Sequence, residues 1–235
     1  MRLEAVFFDV GNTLLYPFPS VSAVVKEILL DAGLVHDIEA IEELIPLVDQ
    51  YYEDRYREDD TFWADEGETS EVWVGMYTFM FRRLGIPDYE ARGFAHMVYE
   101  EFGRPERWRP YDDVVPALER LKARGVKTGI ISNWDRRLRS ILVGLGLHGL
   151  LDAVVSSAMV GLHKPDPRIF ELACGRLGVL PERAAHVGDH YYADVLGARV
   201  AGLAPVLIDR KGVPVPDGVE VIETLDGLEG ALGLE

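Results

Sequence analysis

The chain of 235 residues is 48% hydrophobic and carries a formal net charge of -16, which allows a sizeable core and has the wrong sign for general binding to nucleic acid. Cys174 is the single cysteine, so an intrachain disulfide and a Cys-based zinc site are both excluded. No apolar run approaches the ~18 residues of a membrane span and no signal-peptide pattern is visible, so the expected setting is a reducing cytoplasm with no membrane partner.

Residues 3 to 8 form a short β-branched and aromatic run that stops at Asp9, the pattern of a buried strand with a polar end. A helix is then expected from a Ser20 start signal, with Val21, Val24, Val25, Ile28 and Leu29 on one face and Gly33 to stop it. Lys26 sits beside that apolar face, toward solvent. Helical patterns continue over about 38 to 59, 69 to 84 and 88 to 102, with no strand pattern between them. The stretch "QYYEDRYREDD" reads as a solvated face with an aromatic stripe toward the core; Arg55, Arg57 and Trp63 could instead face a substrate.

From residue 112 helices and strands alternate. Helix 112–124 ends near Gly125, and strand 126–131 ends at Ser132. Helix 136–145 leads to strand 153–156, helix 167–177 to strand 184–187, and helix 191–201 to strand 203–208. "GLGLHG" after the second of these helices is a helix stop, because a dinucleotide-binding turn follows a strand. "KGVPVPDGVE" reads as a Gly/Pro-rich surface turn.

This alternation predicts an α/β fold: a doubly wound, Rossmann-like parallel sheet covered by helices on both faces. The core would comprise residues 1–15 and 106–235, interrupted by an all-helical insertion over 16–105. Ligands of such sheets bind at the carboxyl ends of the strands. Polar residues gather there: Asp9 at one end, Ser132 and Asn133 at another, Gly188 and Asp189 at a third, with Lys164 in the loop after a fourth.

Four stretches carry a resemblance that covers essentially the whole chain. In order they are "FFDVGNTLL", "IISN", "GLHKPDPRIF" and "HVGDHYYADVLGARVAGL". Together they resemble the nucleophile, second, lysine and acidic motifs of the haloacid dehalogenase-like (HAD) hydrolase superfamily. The resemblance implies a helical cap in the insertion that closes over the site and selects the substrate.

The chemistry of the residues agrees. Asp9 is the candidate nucleophile, because a carboxylate can attack phosphorus or an activated carbon to give an acyl intermediate that water resolves. Lys164, Ser132 and the backbone near Asn133 could supply the positive charge and donors that phosphoryl oxygens need. Asp9 and Asp189 would repel each other unless a hard cation of the Mg²⁺ type lay between them. The resemblance implies the backbone carbonyl of Gly11 as a third ligand, with Asp194 steering the metal's water or Lys164. Ser132 and Asn133 also suit the N-cap of a helix from Arg136, a role compatible with phosphate binding.

Phosphatases of the resembled family usually carry a second aspartate at position 11, which protonates the leaving group and then activates water. Glycine does neither, and general acid–base catalysis typically supplies ~10²- to 10⁴-fold. His190 is the nearest sequence candidate for a replacement. The expectation is an enzyme, a Mg²⁺-dependent phosphatase of a small phosphorylated metabolite, slowed at Gly11. Two alternatives stand beside it: a haloacid dehalogenase-type hydrolase, and a family member that binds a phosphometabolite or protein without turnover. The oligomeric state is not legible.

Overall fold

The structure is a computed structural model that describes residues 3–212 and 218–234. Strand β1 (Ala5–Phe8) is fully buried and alternates its side chains between two cores. Val6 and Phe8 face one hydrophobic cluster while Ala5 and Phe7 face the other, as the period-two geometry of a strand covered on both sides requires.

After β1 the chain turns tightly. Val10 O accepts from both Leu14 N and Leu15 N, and Asn12 takes the left-handed conformation with φ 53°. Asparagine tolerates that region better than most residues. The turn is pinned from outside by Arg210, whose guanidinium donates to Thr13 O at 2.8 and 3.0 Å and pairs with half-buried Asp113 at 3.0 Å.

Strand β2 (Leu15–Pro17) then pairs antiparallel with β3 (Trp108–Pro110), a two-stranded ribbon that the sequence does not announce. It stands where the chain leaves for and returns from the inserted helices. Those are α1 (Val21–Asp31), α2 (Ile38–Glu42), α3 (Ile45–Glu58), α4 (Glu66–Arg83) and α5 (Asp88–Glu101). Ser20 caps α1 by accepting from Ala23 N, and Gly33 closes it at φ 77°. The continuous helix expected over 38–59 is two helices, with Pro46 in the first turn of α3, where its missing N–H costs nothing.

The alternating region follows as α6 (Val114–Ala123), β4 (Lys127–Ser132), α7 (Leu138–Gly144), β5 (Ala153–Ser156), α8 (Ser157–Val160), α9 (Pro167–Leu177), β6 (Ala184–Gly188), α10 (Gly197–Val200), β7 (Ala204–Ile208), β8 (Glu220–Ile222) and α11 (Leu228–Ala231). The helix expected over 191–201 begins instead as a π-helical turn, Tyr191–Leu196, before α10. Half of "KGVPVPDGVE", residues 213–217, lies outside the described residues.

All six strands of the main sheet are parallel, in the order β5-β4-β1-β6-β7-β8. The chain builds outward from β1 to one side through β4 and β5, then returns to build the other side from β6. The strand order therefore reverses at β1, and a crevice opens at the carboxyl ends of β4, β1 and β6, where the inserted helices also lie.

Candidate active site

Three polar residues of the site stand at the ends of different strands and a fourth comes from a loop. Asp9 follows β1, Ser132 ends β4, Asp189 follows β6, and Lys164 sits in the loop between α8 and α9. The ammonium of Lys164 is 2% exposed and lies between two carboxylates, 2.6 Å from Asp9 Oδ1 and 2.5 Å from Asp194 Oδ1. Ser132 Oγ donates to the same Asp9 oxygen at 2.9 Å. Both hydrogen bonds to Asp9 thus fall on Oδ1.

Lys164 is held at its backbone as well. Asn133 Nδ2 donates to Lys164 O at 3.0 Å, and Lys164 N donates to Asn133 Oδ1 at 2.8 Å. The Asn133 side chain is therefore committed to placing Lys164. The alternative N-cap role for Ser132 and Asn133 is not adopted: α7 starts at Leu138, no side chain caps it, and Trp134 N is taken by Ser157 Oγ.

Asp194, on the π-helical turn, accepts from Lys164 Nζ, from His186 Nε2 at 2.8 Å and from His190 N at 3.0 Å. Its carboxylate lies directly over Gly188. A Cβ built on that glycine would stand 2.2 Å from Asp194 Cγ, so only a residue without a side chain leaves room for the carboxylate. His186 is a site residue that sequence reasoning missed. Buried on β6 and packed edge-on against Phe170 at 5.1 Å, it was hidden by reading as one more core position of a strand.

Burial and mutual charge set the protonation of this group. Burial alone disfavours charge on Lys164, but the Asp194 and Asp9 carboxylates overcome it and raise the ammonium to about 12. Burial likewise opposes ionisation of Asp194, and the charge of Lys164 with the His186 hydrogen bond reverses that, holding its carboxyl well below the usual range. Asp9 goes the other way, raised by burial against the pull of Lys164. Asp189 is pushed up to about 7 by burial and then by the charges of Asp9 and Asp194. Burial also lowers His186, which favours a neutral imidazole.

Above these groups lies a cavity of about 610 Å³, between the strand ends and the inserted helices. Its walls are largely aromatic. On one side Trp134 meets Trp108 at 5.0 Å and Trp108 meets Phe102 at 5.7 Å, counted between ring centroids. On the other, Tyr52 meets Tyr56 at 5.8 Å and Tyr56 meets His190 at 5.4 Å. The aromatic stripe of "QYYEDRYREDD" therefore faces a cavity as well as a core. Trp63 lines the cavity, whereas Arg55 and Arg57 are exposed outside it, and Lys26 is absent from its walls.

Gly11 is at the cavity floor with an ordinary backbone angle. A Cβ there would meet only Trp134 Cζ3, at 3.6 Å, which is normal contact. His190 does not supply the missing base. Its Nδ1 accepts from Ala193 N at 3.0 Å, which places the proton of a neutral ring on Nε2 and makes the ring a donor.

A switch-point crevice floored by a buried carboxylate–lysine–carboxylate group and roofed by inserted helices is the arrangement of an α/β enzyme whose site stands at the strand ends. The model of the haloacid dehalogenase-like hydrolases matches residues 3–202, and the chain belongs to that family. It is 38% identical over 169 residues to mouse haloacid dehalogenase-like hydrolase domain-containing protein 3, covering 68% of this chain and 66% of that protein. It is 31% identical to the glyceraldehyde 3-phosphate phosphatase of Methanopyrus kandleri, over 88% of this chain and 84% of the relative. Among solved structures, a HAD phosphatase from Thermococcus onnurineus superposes with a TM-score of 0.67 at 29% identity, covering 98% of each chain.

Proposed function

We propose that the protein is a Mg²⁺-dependent phosphatase of small phosphorylated molecules, acting through an aspartyl phosphate on Asp9, with residues 16–105 serving as its cap domain. The observation that carries this reading is the placement of Lys164 against Asp9 at the floor of a roofed cavity. An anionic phosphoryl group meets a buried ammonium and a nucleophilic oxygen at one point there.

The residues suit a divalent cation. Oxygens of Asp9, Asp189 and Asp194 lie within 4.8 Å of one another, and Lys164 is the one buried ammonium among them. Burial and then the charges of Asp9 and Asp194 push the Asp189 carboxyl up to about 7, and a cation between the carboxylates would offset the second of these. Asp194 already accepts three hydrogen bonds, so Asp9, Asp189 and the carbonyl of Gly11 would hold the ion. When bound, Mg²⁺ would screen the phosphoryl oxygens and offset repulsion between the two carboxylates.

The chain's own groups divide the remaining work. Lys164 and Ser132 bind phosphoryl oxygens and orient the ester, and Asp9 Oδ2, free of the two hydrogen bonds on Oδ1, attacks phosphorus as the ester oxygen departs. Asp194 keeps Lys164 charged and fixed. Water then hydrolyses the acyl phosphate, unaided by a carboxylate at position 11.

A screen of phosphate esters with and without Mg²⁺, with 2-haloacids in parallel, tests the reading. Mg²⁺-dependent phosphate release is expected, with a phosphorylated Asp9 peptide found by mass spectrometry after rapid quench. Halide release without Mg²⁺ would replace the reading with a dehalogenase, and full activity in Asp9→Asn would remove the covalent step.

A further inference from the structure

The two aromatic walls of the cavity are joined. Tyr77, Trp73 and Trp63 bridge Phe102 to Tyr52, with consecutive ring centroids 6.2 to 6.4 Å apart. An unbroken arc of rings therefore runs over the site from Trp134, beside Gly11, to His190, beside Asp189.

Charge along this arc excludes some occupants. The insertion contributes no Lys or Arg to the cavity lining, but it does contribute Asp49 and Glu53. Of the core cations there, Arg137 is committed to Asp135 and to the Tyr99 carbonyl and ring, and Lys211 lies in the field of Asp49 and Asp189. A second anionic group on the substrate would meet the carboxylates of Asp49 and Glu53, with Lys211 the one lining cation outside an ion pair among the described residues. Two donors in the cavity lining await a ligand: the Tyr56 hydroxyl and Trp63 Nε1 are buried and have no hydrogen-bond partner among the described residues.

The floor of the cavity points the same way. Beside Gly11, where an acid would protonate a departing alkoxide, stands the indole of Trp134. A leaving group that is stable as an anion needs no such acid, and a phenolate has that property.

We propose that the substrate is an aryl phosphate, a phosphate monoester of a phenol, whose ring lies within the aromatic arc against Trp134 while its phosphoryl group meets Asp9 and Lys164. This rests on the phosphatase reading above. The bond from Asp9 to phosphorus forms as the P–O(aryl) bond breaks, and the electron pair leaves on the phenolate. Water then cleaves the acyl phosphate, its proton passing to the released phosphate, and Asp9 is regenerated.

Binding and turnover test this separately. Calorimetric titration of the whole protein, with Mg²⁺, should show phenylphosphonate binding on the order of tenfold tighter than methylphosphonate. The difference should shrink in Trp73→Ala while methylphosphonate affinity is unchanged. In turnover, kcat/KM should be higher for phenyl phosphate than for propyl phosphate by ~10²-fold or more. It should also be higher for 2-phenylethyl phosphate than for propyl phosphate, a pair that differs in the ring but not in the leaving-group class. Equal affinity for the two phosphonates, or equal kcat/KM for that alkyl pair, would overturn the aromatic specificity with the phosphatase reading intact. No phosphate release from any ester would overturn the phosphatase reading, and the phosphonate titration would still decide whether the arc selects a ring.

Discussion

Lys164 and Asp194 form a buried ion pair of 2.5 Å, the lysine from the loop before α9 and the aspartate from the π-helical turn after β6. The pair joins these two segments below the cavity, and it fixes the ammonium that faces Asp9. Breaking a buried pair from one side leaves an uncompensated charge, at a cost of roughly 3–5 kcal/mol. Asp194→Asn should therefore lower the denaturation midpoint and slow turnover together. Unchanged urea unfolding would mean that Asp194 does not hold Lys164 in solution.

Gly188 makes that pair possible, and its replacement should show it. In Gly188→Ala the new methyl would lie 2.2 Å from Asp194 Cγ, so the carboxylate must leave its place or the strand must move. Overpacking of this kind costs ~1–3 kcal/mol or more. A lowered melting temperature and loss of most activity are expected. Gly175→Ala, at a helical position with nothing within 4 Å, should be harmless in the same assays.

Gly11→Asp should fold. The glycine is outside the left-handed region and its added Cβ meets only Trp134 at an ordinary distance. The new carboxylate would stand two residues from Asp9 and provide the acid–base group that the chain lacks. Phosphatase rates on alkyl esters should rise by anything up to ~10²- to 10⁴-fold, with little change for aryl esters that leave unaided. A folded variant with no gain on any alkyl phosphate would show that protonation does not limit turnover.

Asp189 contributes one of the two strand-end carboxylates assigned to the cation, and it makes none of the hydrogen bonds that hold Lys164 in place. Asp189→Asn should weaken Mg²⁺ binding by at least ~10-fold in calorimetric titration while leaving the fold intact, because each carboxylate supplies a large part of a hard cation's coordination. Equal Mg²⁺ affinity in the two proteins would remove Asp189 from the metal site. Chelation of Mg²⁺ from wild type should abolish phosphate release, and re-addition should restore it.

The sequence by itself determined the sheet and the places where chemistry could occur. Short apolar runs that end on polar residues mark β1, β4 and β6, and residues at those ends border the crevice, so Asp9, Ser132 and Asp189 were legible as neighbours, with Lys164 in a loop beside them. Helix signals held where they are local: Ser20 starts α1, and Gly33 and Gly125 stop their helices with φ of 77° and 73°. What only the tertiary structure decided is which face of the inserted helices meets empty space. Periodicity shows that Tyr52 and Tyr56 turn inward but not whether inward is core or cavity, because that depends on distances between segments far apart in the chain. The same holds for Asn133, whose amide closes on the Lys164 backbone 31 residues away. It holds for His186, an unremarked strand position until Asp194 folds back over Gly188 to meet it. Trp134 acquires its place by the vacancy at Gly11, since the absence of a side chain has no pattern of its own and takes meaning only from what packs against it.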